Sequence, residues 1–217
     1  PFPIEIHPRE QPVTLVREAD GAPLRVELDL PGTRLVLVAW RVDVGNVPLY
    51  LLDADVPDNR PEDRSVTHRL YTGDAEARLR QEIVLGKGGM RLLARLGIDP
   101  AVVHMNEGHA AFAPLERVSR LVHQAGLTFD EAAAMVRAST VFTTHTPVPA
   151  GHDRFPEPLL RRYFADAAAW LGIPWERFLA LGRVGGETEF NMTVLGIRMS
   201  AFRNAVSRLH GEVSRRL

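Results

Sequence analysis

The sequence predicts an α/β fold with a β-rich leading segment, and three observations carry that expectation. Residues up to Leu52 hold Val- and Leu-rich runs separated by turn signals. From Glu76 onward, stretches of helical apolar spacing alternate with short apolar or β-branched runs, the mark of a parallel sheet joined by crossover helices. The composition, 45% hydrophobic and 24% charged, suits an ordinary globular core, and 217 residues suit one large domain or one and a half. The change of pattern divides the chain into a β-rich segment, 1–75, and an α/β segment, 76–217.

In the first segment, Val13 to Arg17, Leu24 to Leu30, Arg34 to Asp43 and Pro48 to Leu52 read as strands, with turns at Ala19-Asp20-Gly21-Ala22, Pro31-Gly32 and Gly45-Asn46. Leu24, Val26, Leu28 and Leu30 alternate with other residues, as in a half-buried antiparallel strand. Asp53 to Asp74 is polar, carries two prolines and reads as an exposed loop. Leu79, Ile83, Val84 and then Met90 to Leu93 keep helical spacing until Gly97-Ile98-Asp99-Pro100 stops it. Gly86-Lys87-Gly88-Gly89 lacks the Gly-Lys-Ser/Thr ending of a phosphate loop and follows a helix, so its glycines are read as permitting a bend and close packing. Ala101 to Met105 reads as a buried strand, and Ala110 to Ala125 as a helix ended by Gly126. Thr128 with Glu131 forms a capping box ahead of a helix from Phe129 to Ala138. Thr140 to Thr144 is a second strand, Pro158 to Leu171 a helix ended by Gly172, and Phe190 to Val213 one long helix. In that last helix Met192, Leu195, Met199, Phe202, Val206 and Leu209 form the apolar stripe.

Lys plus Arg is 26 against 27 for Asp plus Glu, a net charge of -1, so there is no basic footprint for nucleic acid. No apolar run approaches the roughly 18 residues of a membrane helix, and no membrane partner is expected. Without cysteine, disulfides and thiolate metal sites are excluded, which fits a reducing cytoplasm. The opening Pro-Phe-Pro-Ile-Glu-Ile-His has neither methionine nor a signal pattern, and an excised domain or fragment is expected.

Two polar clusters follow the two buried strands: His104 to His109 and Thr143 to His152. Ligands of open parallel sheets bind beyond the carboxyl ends of strands. If the strands are neighbours, Glu107, His109 and His145 converge on one pocket suited to a neutral polyol, with carboxylates accepting from hydroxyls and imidazoles donating or accepting. Each histidine also has a structural reading: His104 as a satisfied core residue, His123 as an exposed helix residue, His152 as a shaper of the Pro-Ala-Gly turn. A metal site of His104, Glu107, His109 and His145 competes, but the two histidines are not spaced as in His-Glu-x-x-His on a helix.

At these segments the chain resembles the α-glucan phosphorylases, the glycogen and maltodextrin enzymes. His104-Met105-Asn106-Glu107-Gly108-His109-Ala110-Ala111-Phe112 is similar to the family's Leu-Asn-Glu-Gly-His segment, and Val141 to Phe155 to its Thr-Thr-His-Thr-Pro-Val segment. Arg78-Leu79-Arg80-Gln81-Glu82, Phe190-Asn191-Met192-Thr193 and Arg203 to Glu212 match further motifs in the family's order. The resemblance covers residues 76 to 217, is closest to the shorter bacterial and archaeal branch, and departs from it at Ala205, where the family usually has glycine.

The resemblance implies part of the N-terminal Rossmann-like domain of a GT-B glycosyltransferase. Such enzymes cleave α-1,4-glucan with phosphate, giving glucose 1-phosphate with retention of configuration, and use pyridoxal phosphate. Carried over, His145 is the catalytic residue: it binds the glucose 6-hydroxyl and sets its backbone carbonyl near the developing oxocarbenium. Asn106, Glu107 and His109 line the sugar pocket with it. Tyr71, Thr72 and Asp74 belong to an entrance loop, and Asn204 and His210 are structural. The glycine-rich loop and the C-terminal domain with the cofactor lysine do not match any part of this chain, so no cofactor is expected on it and it is expected to be inactive alone. Its partners are the glucan, phosphate and that C-terminal domain, and a homo-oligomer is compatible with the family. The readings kept beside this one are a free-standing carbohydrate-binding or regulatory module and a metal-dependent hydrolase.

Overall fold

The computed structural model describes residues 7–69, 74–146 and 151–215. The β-rich segment forms an antiparallel sheet of β1 (Thr14–Leu15), β2 (Val26–Leu30), β3 (Thr33–Val44) and β4 (Val47–Asp53). The long β3 is shared: Leu30 pairs with Thr33 and Val26 with Leu37 at one end, while Val38 to Val44 pairs with β4. The alternation in β2 is realised, with Val26, Leu28 and Leu30 buried and Glu27 and Asp29 exposed. Gly32 and Gly45, both at positive φ, make the turns that join these strands.

The polar stretch after β4 is not simply an exposed loop. It contains α1 (Pro61–Arg64) and a 3₁₀ turn. The buried Asn59 side chain donates to Val36 O at 2.7 Å and accepts from Val36 N at 2.8 Å, and Asp63, also buried, pairs with Arg60 and Arg80. Buried polar side chains that bridge to a strand are invisible to a hydropathy reading, which sees only a polar run.

Asp74 caps α2 (Ala75–Ile83), accepting from Glu76 N and Ala77 N at 3.0 and 2.9 Å. A π-helical turn, Val84–Gly88, links it to α3 (Gly89–Arg95). The glycines there do serve close packing: a Cβ on Gly86 would lie 2.9 Å from Ala113 N, and one on Gly88 3.0 Å from Leu37 Cδ1. Lys87 in the same turn sits over the Trp170 ring at 3.9 Å.

The second sheet is parallel, ordered β5 (Val103–Asn106), β6 (Thr140–Thr144) and β9 (Phe202–Ala205). Between β5 and β6 run α4 (Phe112–Ala125), closed by left-handed Gly126, and α5 (Phe129–Ala138), opened by the predicted Thr128/Glu131 capping box. After β6 come β7 (Arg154–Pro156), α6 (Glu157–Phe164), α7 (Ala167–Leu171), α8 (Trp175–Gly182), β8 (Glu189–Asn191) and α9 (Met192–Arg198), with α10 (Arg208–Ser214) beyond β9. Rings of Phe112, Phe164, Phe178 and Phe190 follow one another at 4.9 to 5.4 Å and tie α4, α6, α8 and β8 into one core.

Two further expectations are corrected by these elements. The single helix over Pro158 to Leu171 is two, α6 and α7, broken at Ala165 and Asp166. The sequence reading passed over α8. The long helix over Phe190 to Val213 does not exist: Phe190 lies in β8, and the chain leaves α9 at Arg198 to become a strand and then α10. Arg203 Nε and Nη2 donate to the carbonyls of Ile197 and Ser200, closing the end of α9, and the free edge of β6 takes up Phe202–Ala205. The apolar stripe therefore divides. Met192, Leu195 and Met199 are buried, but Phe202, Val206 and Leu209 are 60 to 71% exposed.

Candidate active-site wall

The two predicted clusters meet because β5 and β6 are neighbours in parallel register, with Asn106 opposite Thr143. The chain leaves β5 through Glu107 at φ 63° and ψ -178°, the one positive-φ residue other than glycine among the described residues. This region is essentially the preserve of glycine and costs about 1–3 kcal/mol. The turn is forced tight by its neighbour, since a Cβ on Gly108 would lie 3.0 Å from the backbone of Met192 and Thr193.

That conformation buries the Glu107 side chain completely and turns it under the end of β6. Its Oε1 accepts from His145 N at 2.6 Å and from Thr146 N at 2.7 Å. The Oε2 is buried without a hydrogen bond among the described residues. Above this carboxylate the His145 ring is 40% exposed. Asn106 Nδ2 stands 3.1 Å from its Nε2, and Thr146 Oγ1 3.0 Å from its Nδ1. An Asn106 amide donating to Nε2 leaves the ring proton on Nδ1, facing the Thr146 hydroxyl.

His109 does not join this group. It stands with Arg78, Glu82 and Asp153. Asp153 Oδ2 is 3.0 Å from Arg78 Nη2 and 3.1 Å from His109 Nδ1, and the buried Glu82 lies 3.5 Å from Arg78. Hydrogen bonds to Asp153 and Glu82 outweigh burial and raise His109 to about 9. Burial in turn pushes Glu82 up to about 8, with Asp153 adding to the rise. Burial opposes ionisation of Asp153 too, but His109 and Arg78 hold it well below the usual carboxylate range. Glu82, His109 and Asp153 are close enough to share a cation, yet the Arg78 guanidinium already supplies the positive charge among them.

The other histidines singled out from the sequence, and Asn204, have partners of their own. His104 Nε2 contacts Thr143 Oγ1 at 2.6 Å, and that hydroxyl donates to Asn204 Oδ1 at 2.8 Å, a polar row across all three parallel strands. His152 Nδ1 contacts Thr193 Oγ1 at 2.7 Å, and exposed His123 reaches the Trp170 carbonyl at 3.1 Å. His210 lies in α10 near Ser214. Tyr71 and Thr72 lie outside the described residues. Sequence reasoning missed Arg78, Asp153 and Thr146 as members of these groups. The signal for Arg78 was present, since Arg78 and Glu82 are four apart on one helix. Nothing local marks Asp153.

No protein-family model matches the chain. Individual relatives do. The chain is 48% identical over its whole length to a maltodextrin phosphorylase from Thermococcus litoralis, covering 25% of that protein. It is 47% identical to a glycogen phosphorylase from Mycobacterium tuberculosis over 97% of the chain and 26% of the relative. A glycogen phosphorylase from Aquifex aeolicus is 36% identical over 95% of the chain and 30% of the relative. Family membership follows from identity sustained from end to end: the chain belongs to the glycogen and maltodextrin phosphorylases. It spans about a quarter of the length of the first of these relatives.

Proposed function

We propose that this chain is the glucose-holding wall of an α-1,4-glucan phosphorylase, within a GT-B N-terminal domain, and that His145 is its central residue. The observation that carries the reading is the junction of the two strand-end clusters. Glu107 grips the backbone of His145 and Thr146 from below, and Asn106 and Thr146 hold the imidazole from the sides. A partly exposed imidazole on a turn held by hydrogen bonds suits a sugar hydroxyl, which reaches the ring by replacing Asn106 or Thr146 as its partner. The His145 carbonyl offers a dipole to positive charge developing on the sugar.

The family's pyridoxal phosphate does not fit these residues. Lys87 is the one lysine of the chain, and its amine is taken up by the Trp170 and Phe164 rings at 3.9 and 5.6 Å. The cofactor therefore belongs to other parts of a phosphorylase. The 217 residues alone should release no glucose 1-phosphate from maltodextrin and phosphate. A longer polypeptide that includes them should do so, and lose about 100-fold in kcat/KM on His145→Ala. Undiminished turnover by that variant would overturn the assignment of His145.

A further inference from the structure

We infer that Glu107 is a positioning residue that acts through the two peptide groups flanking His145, above all the one joining His145 to Thr146, and makes no contact with the sugar. The inference rests on the phosphorylase reading for its catalytic consequence but not for its geometry. Glu107 is completely buried, and its Oε1 is already taken by two backbone donors at 2.6 and 2.7 Å. Among Asn106, Glu107, His145 and Thr146, Asn106 and His145 are the exposed ones.

The second donor sets the direction of the wall. Thr146 N–H and His145 C=O belong to the same planar trans peptide, so they point in opposite directions. Fixing the N–H on a buried carboxylate aims the carbonyl away from it. A donor hydrogen-bonded to an anion also polarises its peptide, and the carbonyl at the other end becomes a stronger acceptor. The His145 N–H on the same oxygen fixes the preceding peptide as well, so the turn cannot rotate about either neighbour. The arrangement places a buried negative charge behind a carbonyl that faces the developing positive charge of the sugar.

The backbone at Glu107 agrees with this role. A glycine would take φ 63° and ψ -178° without strain. A glutamate held there needs a reason, and this conformation is what carries the carboxylate under the end of β6.

Two measurements test the inference. In the 217-residue chain, amide proton resonances of His145 and Thr146 should lie downfield and move upfield in Glu107→Gln, while Glu107→Asp keeps at least one of them downfield. In the longer polypeptide, Glu107→Gln should lower kcat by about 100-fold and leave the KM for glucan within about twofold, with Glu107→Asp restoring part of the loss. Resonances that do not move would overturn the clamp. A raised KM with unchanged kcat would make Glu107 a sugar ligand instead. If the longer wild-type polypeptide performs no phosphorolysis, the phosphorylase reading falls, and the amide resonances still decide the geometry. Thermal melts of both variants separate a local change from loss of the fold.

Discussion

Single residues here carry charge states that tie stability to pH. His109, ordinarily near 6.5, is raised to about 9 in the fold by Asp153 and Glu82. Its contribution is complete below 6.5 and is lost as pH rises towards 9. Glu82, ordinarily near 4.5, is raised to about 8 by burial, so its part is complete below 4.5 and lost on the way to 8. Asp153 works in the opposite sense and loses its contribution in acid. Urea melts across pH 5 to 9 should therefore show stability falling as pH rises, and Glu82→Gln should flatten that fall. An unchanged slope in the variant would remove Glu82 as its source. Close contacts act at the same scale. A Cβ on Gly196 would lie 2.6 Å from the Phe142 ring, so Gly196→Ala should cost about 1–3 kcal/mol in a thermal or urea melt.

Among the elements, the ones legible from sequence were those whose ends are marked by local chemistry. Thr128 and Glu131 announced α5, Gly126 closed α4, and the β-branched run Thr140 to Thr144 gave β6 to the residue. The clusters at the ends of β5 and β6 were legible for the same reason, since polar residues after apolar runs mark strand ends. The stretch from Phe190 to Val213 failed because its apolar residues keep helical spacing across a true break. What decides the break is tertiary: the open edge of β6 and the Arg203 side chain that closes α9. The separation of His109 from His145 was equally unreadable, because it depends on Arg78 and Asp153, distant in sequence. Asn191 caps α9 by accepting from Thr193 N at 2.9 Å and Val194 N at 3.3 Å from a buried position. Asn191→Ala should cost about 1 kcal/mol and loosen α9, read as faster amide exchange over Thr193 to Leu195.

Over the whole molecule, several exposed apolar side chains among the described residues fall together in two places. Val44, Val47, Leu49 and Leu51 stand out on the β3–β4 hairpin, and Phe202, Val206, Leu209 and Val213 around β9 and α10, all at least 39% exposed. Contiguous apolar surface of this kind marks contact with other protein, which accords with relatives of about four times the length. Among the described residues no helix is long and apolar enough to cross a membrane. The 217-residue chain should associate as its concentration rises, and Phe202→Ser with Leu209→Ser should shift sedimentation towards the monomer. Sedimentation unaltered by these substitutions would place the sticky surface elsewhere.

The lone lysine under Trp170 has a practical consequence. Apart from the N-terminus, an amine-directed reagent has one address on this chain. Burial lowers the Lys87 amine to about 8, so more of it is unprotonated near neutrality than of an ordinary lysine, while the indole ring covers it. The rate at which a slow acylating reagent marks this position therefore follows how often the joint between the π turn and α7 opens. The molecule carries its own single-site reporter of that motion, with no label to be engineered in.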